Sequence, residues 1–219
     1  MTAAPTAPLR LCLIGMSGVG KSYWTRRLAR HGLRPHDCDA GIAAGLRSVV
    51  TPLAGESPVH ALGRWMGMPS TPEFCEREAR YLALEASVTQ AALSAATKLP
   101  GPHVIDCTGS VIYLPAPLLL DLRRECRVVY LRTPERRFAT LLERYLREPK
   151  PVVWAGAYAP RPNESEADAL GRCYAELLRV RDTRYLALAD AVLDASELEQ
   201  QALATDAFLR LCEGVGSTP

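Results

Sequence analysis

The decisive stretch of this sequence is Gly15-Met16-Ser17-Gly18-Val19-Gly20-Lys21-Ser22, which matches the phosphate-binding loop pattern G-x-x-x-x-G-K-[ST]. The apolar residues 11–14 before it have the length of a strand, and residues 23–31 after it have the composition of a helix. Free backbone N–H groups and the helix dipole converge at such a turn and favour an anion. The whole stretch, together with Tyr23, is therefore predicted to bind the phosphates of a nucleotide.

The residues of this loop have separate predicted roles. Gly15, Gly18 and Gly20 let the backbone curl around a phosphate, while Lys21 can reach the β- and γ-phosphates. The Ser22 hydroxyl can ligate Mg²⁺. Lysine is scarce in the chain, yet one stands at the position that the pattern requires, which argues against an ordinary glycine turn before a helix.

Composition argues against several classes of protein. The 219 residues carry a net charge of +2, which gives no electrostatic support for binding nucleic acid or an anionic membrane. No apolar run approaches the ~20 residues that span a bilayer, and residues 1–8 lack the features of a signal peptide. The cysteines and histidines are scattered without metal-ligand spacing, which is typical of reduced thiols and of structural or surface histidines. We expect a cytoplasmic protein that binds neither nucleic acid nor membranes.

Strand and helix patterns alternate along the chain. Strands are predicted at residues 11–14, 33–37, 103–107, 127–131 and 191–193, and helices at 23–31, 40–50, 57–68, 71–97, 115–125, 134–147, 167–188 and 198–213. This alternation predicts an α/β fold with a parallel sheet that helices cover on both faces. We expect one domain over residues 9–213, a disordered N-terminal segment at 1–8 and a tail at 214–219.

One connection is unusually long. Residues 149–166 are rich in proline and polar side chains and include the aromatic residues Trp154 and Tyr158. Connections of this length in a compact domain are often lids over an active site. We therefore predict that residues 149–166 close over bound nucleotide.

Three carboxylates stand at predicted strand ends, where open α/β sheets bind ligands. Asp37 and Asp39 follow the second strand, so that one could hold Mg²⁺ through water while the other accepts a hydroxyl proton. Asp106 ends the third strand and resembles a Walker-B carboxylate that supports the magnesium shell. The alternatives are that Asp37 and Asp39 cap a helix and that Asp106 caps a turn.

A small polar turn follows Asp106. Thr108, Gly109 and Ser110 could place backbone N–H groups and hydroxyls against an acceptor. An ordinary tight turn explains the same three residues equally well. The turn is therefore a candidate acceptor site whose role the sequence leaves open.

With these motifs in place, the chain resembles the shikimate kinase family of P-loop small-molecule kinases over about residues 9–195. The matching motifs are the loop at 15–22, Asp37-x-Asp39, Phe74-x-x-x-Glu78, Gly109-Ser110-Val111, Val128-Val129-Tyr130-Leu131, Lys150-Pro151, Arg181-x-x-x-Tyr185 and Ala189-Asp190. The resemblance implies a three-layer α/β/α P-loop NTPase fold with a five-stranded parallel sheet in the order 2-3-1-4-5. It also implies a lid and an acceptor pocket over the sheet.

Several residue roles are implied by this resemblance alone. Asp39 takes the place of the aspartate that contacts the acceptor hydroxyl and is the candidate base, with Asp37 near the magnesium waters. Arg181 corresponds to the arginine that contacts the acceptor carboxylate. Glu78 falls in the acceptor-binding motif and is a candidate substrate-binding residue.

The chain departs from the family in the acceptor half. Cys75 replaces an acceptor-binding arginine, and Cys107 and Thr108 replace two residues of a triple glycine. The lid arginine reads Lys150, with Arg147 close by as a substitute. The sequence therefore supports nucleotide binding more strongly than it supports shikimate as the acceptor.

Together these features predict a phosphotransferase that uses ATP and Mg²⁺ and acts on a small hydroxyl-bearing acceptor. Lys21, with Lys150 or Arg147, would offset charge on the transferring phosphoryl group, and Asp39 would deprotonate the hydroxyl. The candidate metal residues are Ser22, Asp37 and Asp106. Two alternatives stay open: a nucleotide-binding regulatory or accessory module without transfer chemistry, and a nucleoside monophosphate kinase.

Overall fold

The computed structural model describes residues 8–200 and 203–214, and one five-stranded sheet forms its centre. The strands are β1 (Arg10–Ile14), β2 (Arg34–Asp37), β3 (His103–Asp106), β4 (Arg127–Arg132) and β5 (Ala191–Asp194). All neighbouring strands are parallel, in the order β2-β3-β1-β4-β5. The predicted α/β fold, parallel sheet and strand order are confirmed.

Helices pack on both faces of this sheet. They are α1 (Lys21–Arg30), α2 (Cys38–Leu46), α3 (Pro58–Met66), α4 (Phe74–Lys98), α5 (Ala116–Glu125), α6 (Phe138–Arg147), α7 (Glu166–Leu188), α8 (Ala195–Gln200) and α9 (Thr205–Glu213). None of these described helices is long and apolar enough to cross a membrane. Residues 1–7 and 215–219 hold nearly all of the predicted N-terminal segment and tail, and they lie outside the described residues.

The predicted helix at residues 198–213 is wrong, because this part of the chain forms α8 and α9 instead. Ala204 has an extended backbone immediately before α9 begins. The Arg27 guanidinium of α1 donates to the Leu203 carbonyl oxygen (2.7 Å), an acceptor that a continuous helix would use internally. The break therefore depends on a contact from a helix distant in sequence, which apolar spacing does not show.

The central strands β1, β3 and β4 are buried on both faces, and the two sides of the sheet have separate cores. On one side α1 and α9 meet, with the rings of Trp24 and Phe208 stacked at a centroid distance of 3.9 Å. On the other side the core includes side chains of α2, α4 and α7, and also Val152 to Trp154 from the long connection. The connection at 149–166 is thus part of the core in its first half.

Helix α3 touches the start of this connection. The contact needs a glycine, because a Cβ at Gly63 would lie 2.2 Å from the Pro149 carbonyl oxygen and 2.9 Å from the Cα atom of Lys150. Side-chain carbons do not approach backbone atoms this closely, since the interior is already close-packed. Gly63 therefore sets the position of Lys150 against α3.

We expect Gly63→Ala to lower the free energy of unfolding by about 1–3 kcal/mol, since the added methyl group must displace backbone. In an uncrowded helix the same change stabilises by up to ~1 kcal/mol. Gly171→Ala in α7 is the matched control, because a Cβ there meets only the Leu142 side chain, at an ordinary 3.7 Å. Urea unfolding measures both variants, and equal effects would contradict the packing described for Gly63.

Candidate active site

A polar cleft of about 440 Å³ lies over the carboxyl ends of β1, β2 and β3. The strand register explains its position, because Asp106 stands beside Leu13 of β1 and beside Asp37 of β2. Asp37, Asp39, Gly109 and Lys150 line the cleft together with the phosphate-binding loop. The fold therefore brings the predicted nucleotide and acceptor residues from four separate parts of the chain to one place.

The loop has the backbone that its glycines predict. Gly15, Gly18 and Gly20 have φ angles of 139°, 77° and 101°, a region that favours glycine. A Cβ at Gly15 would also lie 2.6 Å from the Leu131 carbonyl oxygen of β4. Helix α1 begins at Lys21 without a side-chain cap, so its first N–H groups are available to an anion.

The predicted nucleotide-binding residues separate into two groups. Those that line the cleft are Ser17, Gly18, Gly20, Lys21, Ser22 and Tyr23. Those that shape the loop from behind are Gly15, Met16 and Val19. In the second group the Met16 and Val19 side chains are buried in the two cores on either side of the sheet.

Lys21 is held inside the loop. Its Nζ atom donates to the carbonyl oxygens of Gly15 (2.9 Å) and Met16 (3.1 Å), and only 6% of the residue is exposed. These two acceptors are neutral, so an anionic phosphate oxygen entering the loop would be a stronger partner for the ammonium group. The geometry thus keeps Lys21 ready at the centre of the loop.

Asp106 and Ser22 form the pair that could support a metal ion. Asp106 is buried, which raises its pKa to about 6, while the charge of Lys21 and a hydrogen bond with Ser22 oppose the rise. Asp37 has a second task, because its Oδ1 atom accepts from the Ala40 N–H group (2.9 Å) and caps α2. Carboxylate and hydroxyl oxygens suit Mg²⁺, which usually keeps several waters and binds substrate phosphates.

Asp39 faces Lys21 and Lys150 across the cleft. Burial raises the pKa of Asp39, and the positive charges of Lys21 and Lys150 counteract part of that rise while Asp37 adds to it. A carboxylate in this setting favours taking up a proton more than an exposed one does. The position fits the acceptor-facing base that the family resemblance implies.

The structure does not place Arg147 at the cleft. Its side chain is 75% exposed and its nearest ionic partner is Glu148, at 3.7 Å. Arg144, one helical turn earlier, faces the loop instead: a Cβ at Gly18 would lie 3.1 Å from its Nη1 atom. Arg144 and Lys150 also share a side cavity of about 130 Å³ with the loop. Arg144 was not predicted from the sequence. It lies three residues before Arg147 on the same helix, and residues at that spacing share a helix face, so Arg144 could have been considered together with Arg147.

His60 is a second residue that the sequence did not single out. It lines both the cleft and the side cavity, from the first turn of α3. The Ser57 hydroxyl accepts from the His60 backbone N–H (3.3 Å) and lies 2.9 Å from the imidazole Nδ1 atom. The Nε2 atom is buried and has no hydrogen-bond partner among the described residues. No local pattern in the sequence marks this histidine, because its place depends on α3 packing over the loop.

Two predicted acceptor residues bind the chain's own backbone rather than the cleft. A Glu78 carboxylate oxygen accepts from the N–H groups of Trp154 and Ala155 (3.0 Å for the latter). The buried Arg181 guanidinium donates to the Val153 carbonyl oxygen. We call residues 152–155 the strap; Trp154 at its centre is 1% exposed. That the connection moves over nucleotide stays a prediction, but its first half is anchored by these contacts.

The predicted turn at residues 108–110 is mostly buried below the cleft. Thr108 and Ser110 both donate through their hydroxyls to the carboxylate of Glu85, a fully buried residue of α4 (2.6 Å from Ser110). Gly109 alone of the three lines the cleft. Burial raises the pKa of Glu85 to about 7, and the two hydroxyl hydrogen bonds oppose the rise. These hydroxyls therefore support the floor of the site rather than face a ligand.

Solved structures that are similar to this one include several shikimate kinases. The shikimate kinase from Acinetobacter baumannii, solved with shikimate, aligns with a TM-score of 0.61 at 21% identity over 97% of both chains. Shikimate kinases from Bacteroides thetaiotaomicron and Aquifex aeolicus give TM-scores of 0.58 and 0.59 at 21% and 18% identity. These alignments cover 95% of this chain and 99% and 100% of theirs.

The class that fold and loop define is a P-loop α/β protein. Within that class the chain has the fold of the shikimate kinases and is structurally similar to them over nearly its whole length. No protein-family model matches the sequence, and no curated protein matches it. The similarity at these identities is therefore one of fold.

The buried Glu85 predicts how stability depends on pH. Its pKa is about 7 in the folded protein, against an ordinary 4.5, so the folded state holds a proton that the unfolded chain releases between these values. The contribution of Glu85 to stability is then fully present below about pH 4.5 and falls by about 1.4 kcal/mol per pH unit up to about pH 7, in addition to the same kind of loss from Asp39 and Asp106. Glu85→Gln removes this titration while keeping an amide that can bond the same hydroxyls.

Urea unfolding between pH 5 and pH 8 tests this expectation. The free energy of unfolding of Glu85→Gln should fall less steeply than that of the natural protein from pH 5 to pH 7. Glu76→Gln, at an exposed site on the same helix, should leave the slope unchanged. Parallel curves for the natural protein and Glu85→Gln would contradict the raised pKa.

Proposed function

We propose that this protein is a phosphotransferase that uses ATP and Mg²⁺ to phosphorylate a hydroxyl group of a small molecule. The observation that carries the proposal is the meeting of Lys21 and Asp39 with the phosphate-binding loop in one cleft, with the buried Asp106 close enough to interact with both. The fold shared with shikimate kinases is consistent with it. Each of these residue types is needed for phosphoryl transfer, and their meeting depends on the three-dimensional fold.

The nucleotide would bind through the loop. Its β- and γ-phosphates take the backbone N–H groups at the start of α1, and Lys21 exchanges its two carbonyl partners for phosphate oxygens. Lys150 lines the cleft, and Lys150 and Arg144 both line the side cavity beside the loop. Positive charge near the transferring group stabilises the charge that builds up on its oxygens.

A nucleoside has room beyond the phosphates. A cavity of about 350 Å³ adjoins Gly20 of the loop, and its walls come from Tyr23 and Trp24 of α1 and from Leu198 of α8. Mostly apolar walls beside a phosphate site are the usual surroundings of a bound base or sugar. This cavity supports a nucleotide over inorganic phosphate as the ligand of the loop.

The acceptor hydroxyl would approach Asp39. The oxygen of the hydroxyl forms a bond to the γ-phosphorus as the bond from that phosphorus to the bridging oxygen breaks, and ADP leaves. Asp39 takes the hydroxyl proton, which its raised pKa favours. Ser22 and Asp106 would hold Mg²⁺, with Asp37 acting through water, and the ion would supply charge to the β- and γ-phosphates.

One observation favours a second candidate, a nucleotide-binding module without transfer activity. Glu78 and Arg181 both form hydrogen bonds with the strap, so part of the hydrogen-bonding capacity that the resemblance assigns to an acceptor is used within the chain. A screen of small metabolites for Mg²⁺-ATP-dependent phosphorylation separates the two candidates. A phosphorylated product that Lys21→Met does not form supports transfer, whereas tight nucleotide binding without any product supports the module.

Lys21→Met is expected to lower Mg²⁺-ATP turnover by about 10²-fold or more, because it removes a charge aimed at the transferring group. The measurement is ADP release at saturating Mg²⁺. Lys98→Met is the matched control, since Lys98 is exposed at the far end of α4. This variant should turn over Mg²⁺-ATP at the rate of the natural protein. Unfolding curves show whether each variant is folded. Natural turnover in Lys21→Met would mean that the nucleotide site lies elsewhere.

Asp39→Asn and Asp37→Asn should have different effects. Asp39→Asn removes the base and is expected to slow transfer to the acceptor found in the screen by about 10²–10⁴-fold, with nucleotide affinity nearly unchanged. Asp37→Asn keeps the helix cap, because asparagine also caps well, and should instead raise the Mg²⁺ concentration needed for half-maximal rate. Equal and mild effects of both changes would leave only the capping role for this pair.

A further inference from the structure

The strap forms hydrogen bonds with two of the acceptor residues that the family resemblance implies. Val153 and Trp154 supply backbone groups to Arg181 and Glu78, and both strap residues are buried in the core beside α7. The Trp154 ring packs against Tyr174 at a centroid distance of 5.8 Å. Moving the strap would expose these side chains and leave buried polar groups without partners, which is costly. The strap is therefore expected to stay in place when an acceptor approaches Asp39.

A second cavity adjoins the cleft beside the carboxylates. It has a volume of about 560 Å³, larger than the cleft itself, and lies between α2, α3 and the loop that joins them. Asp37 and Val59 line both cavities, so the two spaces meet beside the carboxylates. Pockets for small molecules commonly measure roughly 300–1,000 Å³ and have mainly apolar walls. We call this cavity the α2–α3 groove.

Helix α2 contributes an apolar wall to the groove. One face of this helix is pressed against α4, where a Cβ at Gly41 would lie 2.6 Å from Val88 and one at Gly45 would lie 2.6 Å from Leu84. The opposite face, which lines the groove, carries small apolar residues instead of the polar ones that a surface helix usually has. They are Ala40, Ala43 and Ala44.

The edge of the groove is also unusual for a surface. Across from α2 it is closed by Leu62 of α3 and by Pro52 of the joining loop. Val49 and Leu53 of the same loop expose 44% and 62% of their surface. Apolar surface of this kind, continuous with a reactive cleft, marks a binding site more often than a plain surface.

We propose that the α2–α3 groove binds the acceptor, and that the acceptor is an alcohol with a compact apolar body, such as a ring or a branched chain. This inference rests on the proposed function. The apolar body lies against Ala44 and Leu62, and its hydroxyl enters the cleft beside Asp37 to reach Asp39. The reaction is the transfer already described: the hydroxyl oxygen gains the phosphoryl group, Asp39 takes the proton, and ADP leaves.

The groove also argues against polyols and hydroxy acids of the shikimate type. Among its lining residues only Asp37, at one end, and Arg47 have charged side chains. A molecule with several hydroxyl groups would lose water there without gaining enough hydrogen bonds, which costs affinity. The loss of the family arginine at Cys75, an exposed residue of α4, agrees with this preference.

Binding and transfer can be measured separately in the full chain with Mg²⁺ and ADP or ATP present. The probes are 3-phenyl-1-propanol, glycerol and shikimate, with binding followed by saturation-transfer NMR and transfer by release of ADP. Ala44→Phe fills the groove from an exposed helical position, and Ala83→Phe makes the same change on the exposed face of α4. Ala44→Gln is a smaller second variant, should Ala44→Phe fold poorly.

We expect 3-phenyl-1-propanol to bind the natural protein and Ala83→Phe alike, and to bind Ala44→Phe at least about tenfold more weakly. Ala44→Gln should weaken it severalfold, and glycerol and shikimate should bind weakly throughout. Equal binding of the aromatic alcohol to Ala44→Phe and Ala83→Phe would overturn the assignment. The assignment would also be overturned if the natural protein were a dimer that binds none of the probes and Ala44→Phe were a monomer, because the groove would then bind a second copy of the chain.

The two arms distinguish failure of the site from failure of the function. Binding of the aromatic alcohol that depends on Ala44, with no transfer, supports the site and contradicts the proposed phosphotransferase. Efficient transfer to shikimate or glycerol, unaffected by Ala44→Phe, supports the phosphotransferase and overturns the groove as its acceptor site.

Discussion

The site depends on the position of the Lys21 ammonium group beside the carboxylates of Asp39 and Asp106. Parallel pairing aligns the ends of β1, β2 and β3, so that Asp106 stands beside Asp37 and next to the strand that enters the phosphate-binding loop. Burial raises the pKa values of Asp39 and Asp106, and the charge of Lys21 counteracts the rise at both. Without that cation the carboxylates would be costly to keep ionised so close together. Lys21 also lies inside the phosphate-binding loop. The residue that offsets the charge of the carboxylates is therefore the one that the proposed function assigns to the nucleotide phosphates.

This sequence departs from the family pattern more in the acceptor half of the site than around the phosphate-binding loop. The nucleotide half keeps the glycines, the lysine and the hydroxyl of the motif, and the structure gives them the backbone that the motif needs. In the acceptor half, Glu78 and Arg181 keep their identities but hold the strap in place. Residues that a resemblance assigns to a ligand thus serve here to fix the chain. This is why a shared fold, at about 20% identity, does not carry the acceptor with it.

What could be predicted from the sequence depends on how far apart in the chain the interacting residues lie. The loop and Lys21 are local, and the strand-end carboxylates follow from alternation and parallel pairing, so all of these were predictable. Arg144 faces the loop only because α6 packs beside it, and the burial of Glu85 depends on hydroxyls 23 and 25 residues away. Residues 149–166 were predicted to be a lid from their length and their proline-rich polar composition, which do not show that Val152, Val153 and Trp154 pack into the core. That this connection closes over nucleotide stays a prediction. The boundary between α8 and α9 likewise needs Arg27, which is distant in sequence.

We propose that the loop binds nucleotide while the strap stays fixed by its hydrogen bonds with Glu78 and Arg181. Hydrogen–deuterium exchange of the full chain, with and without a non-hydrolysable ATP analogue and Mg²⁺, tests both parts in one measurement. We expect the amides of residues 15–22 to become protected on binding, whereas the amides of Trp154 and Ala155 should exchange slowly in both states. An unchanged loop would contradict the nucleotide site. Fast exchange at Trp154 and Ala155 before binding, followed by protection, would show that the strap is a moving lid and that the acceptor pocket over the sheet is open.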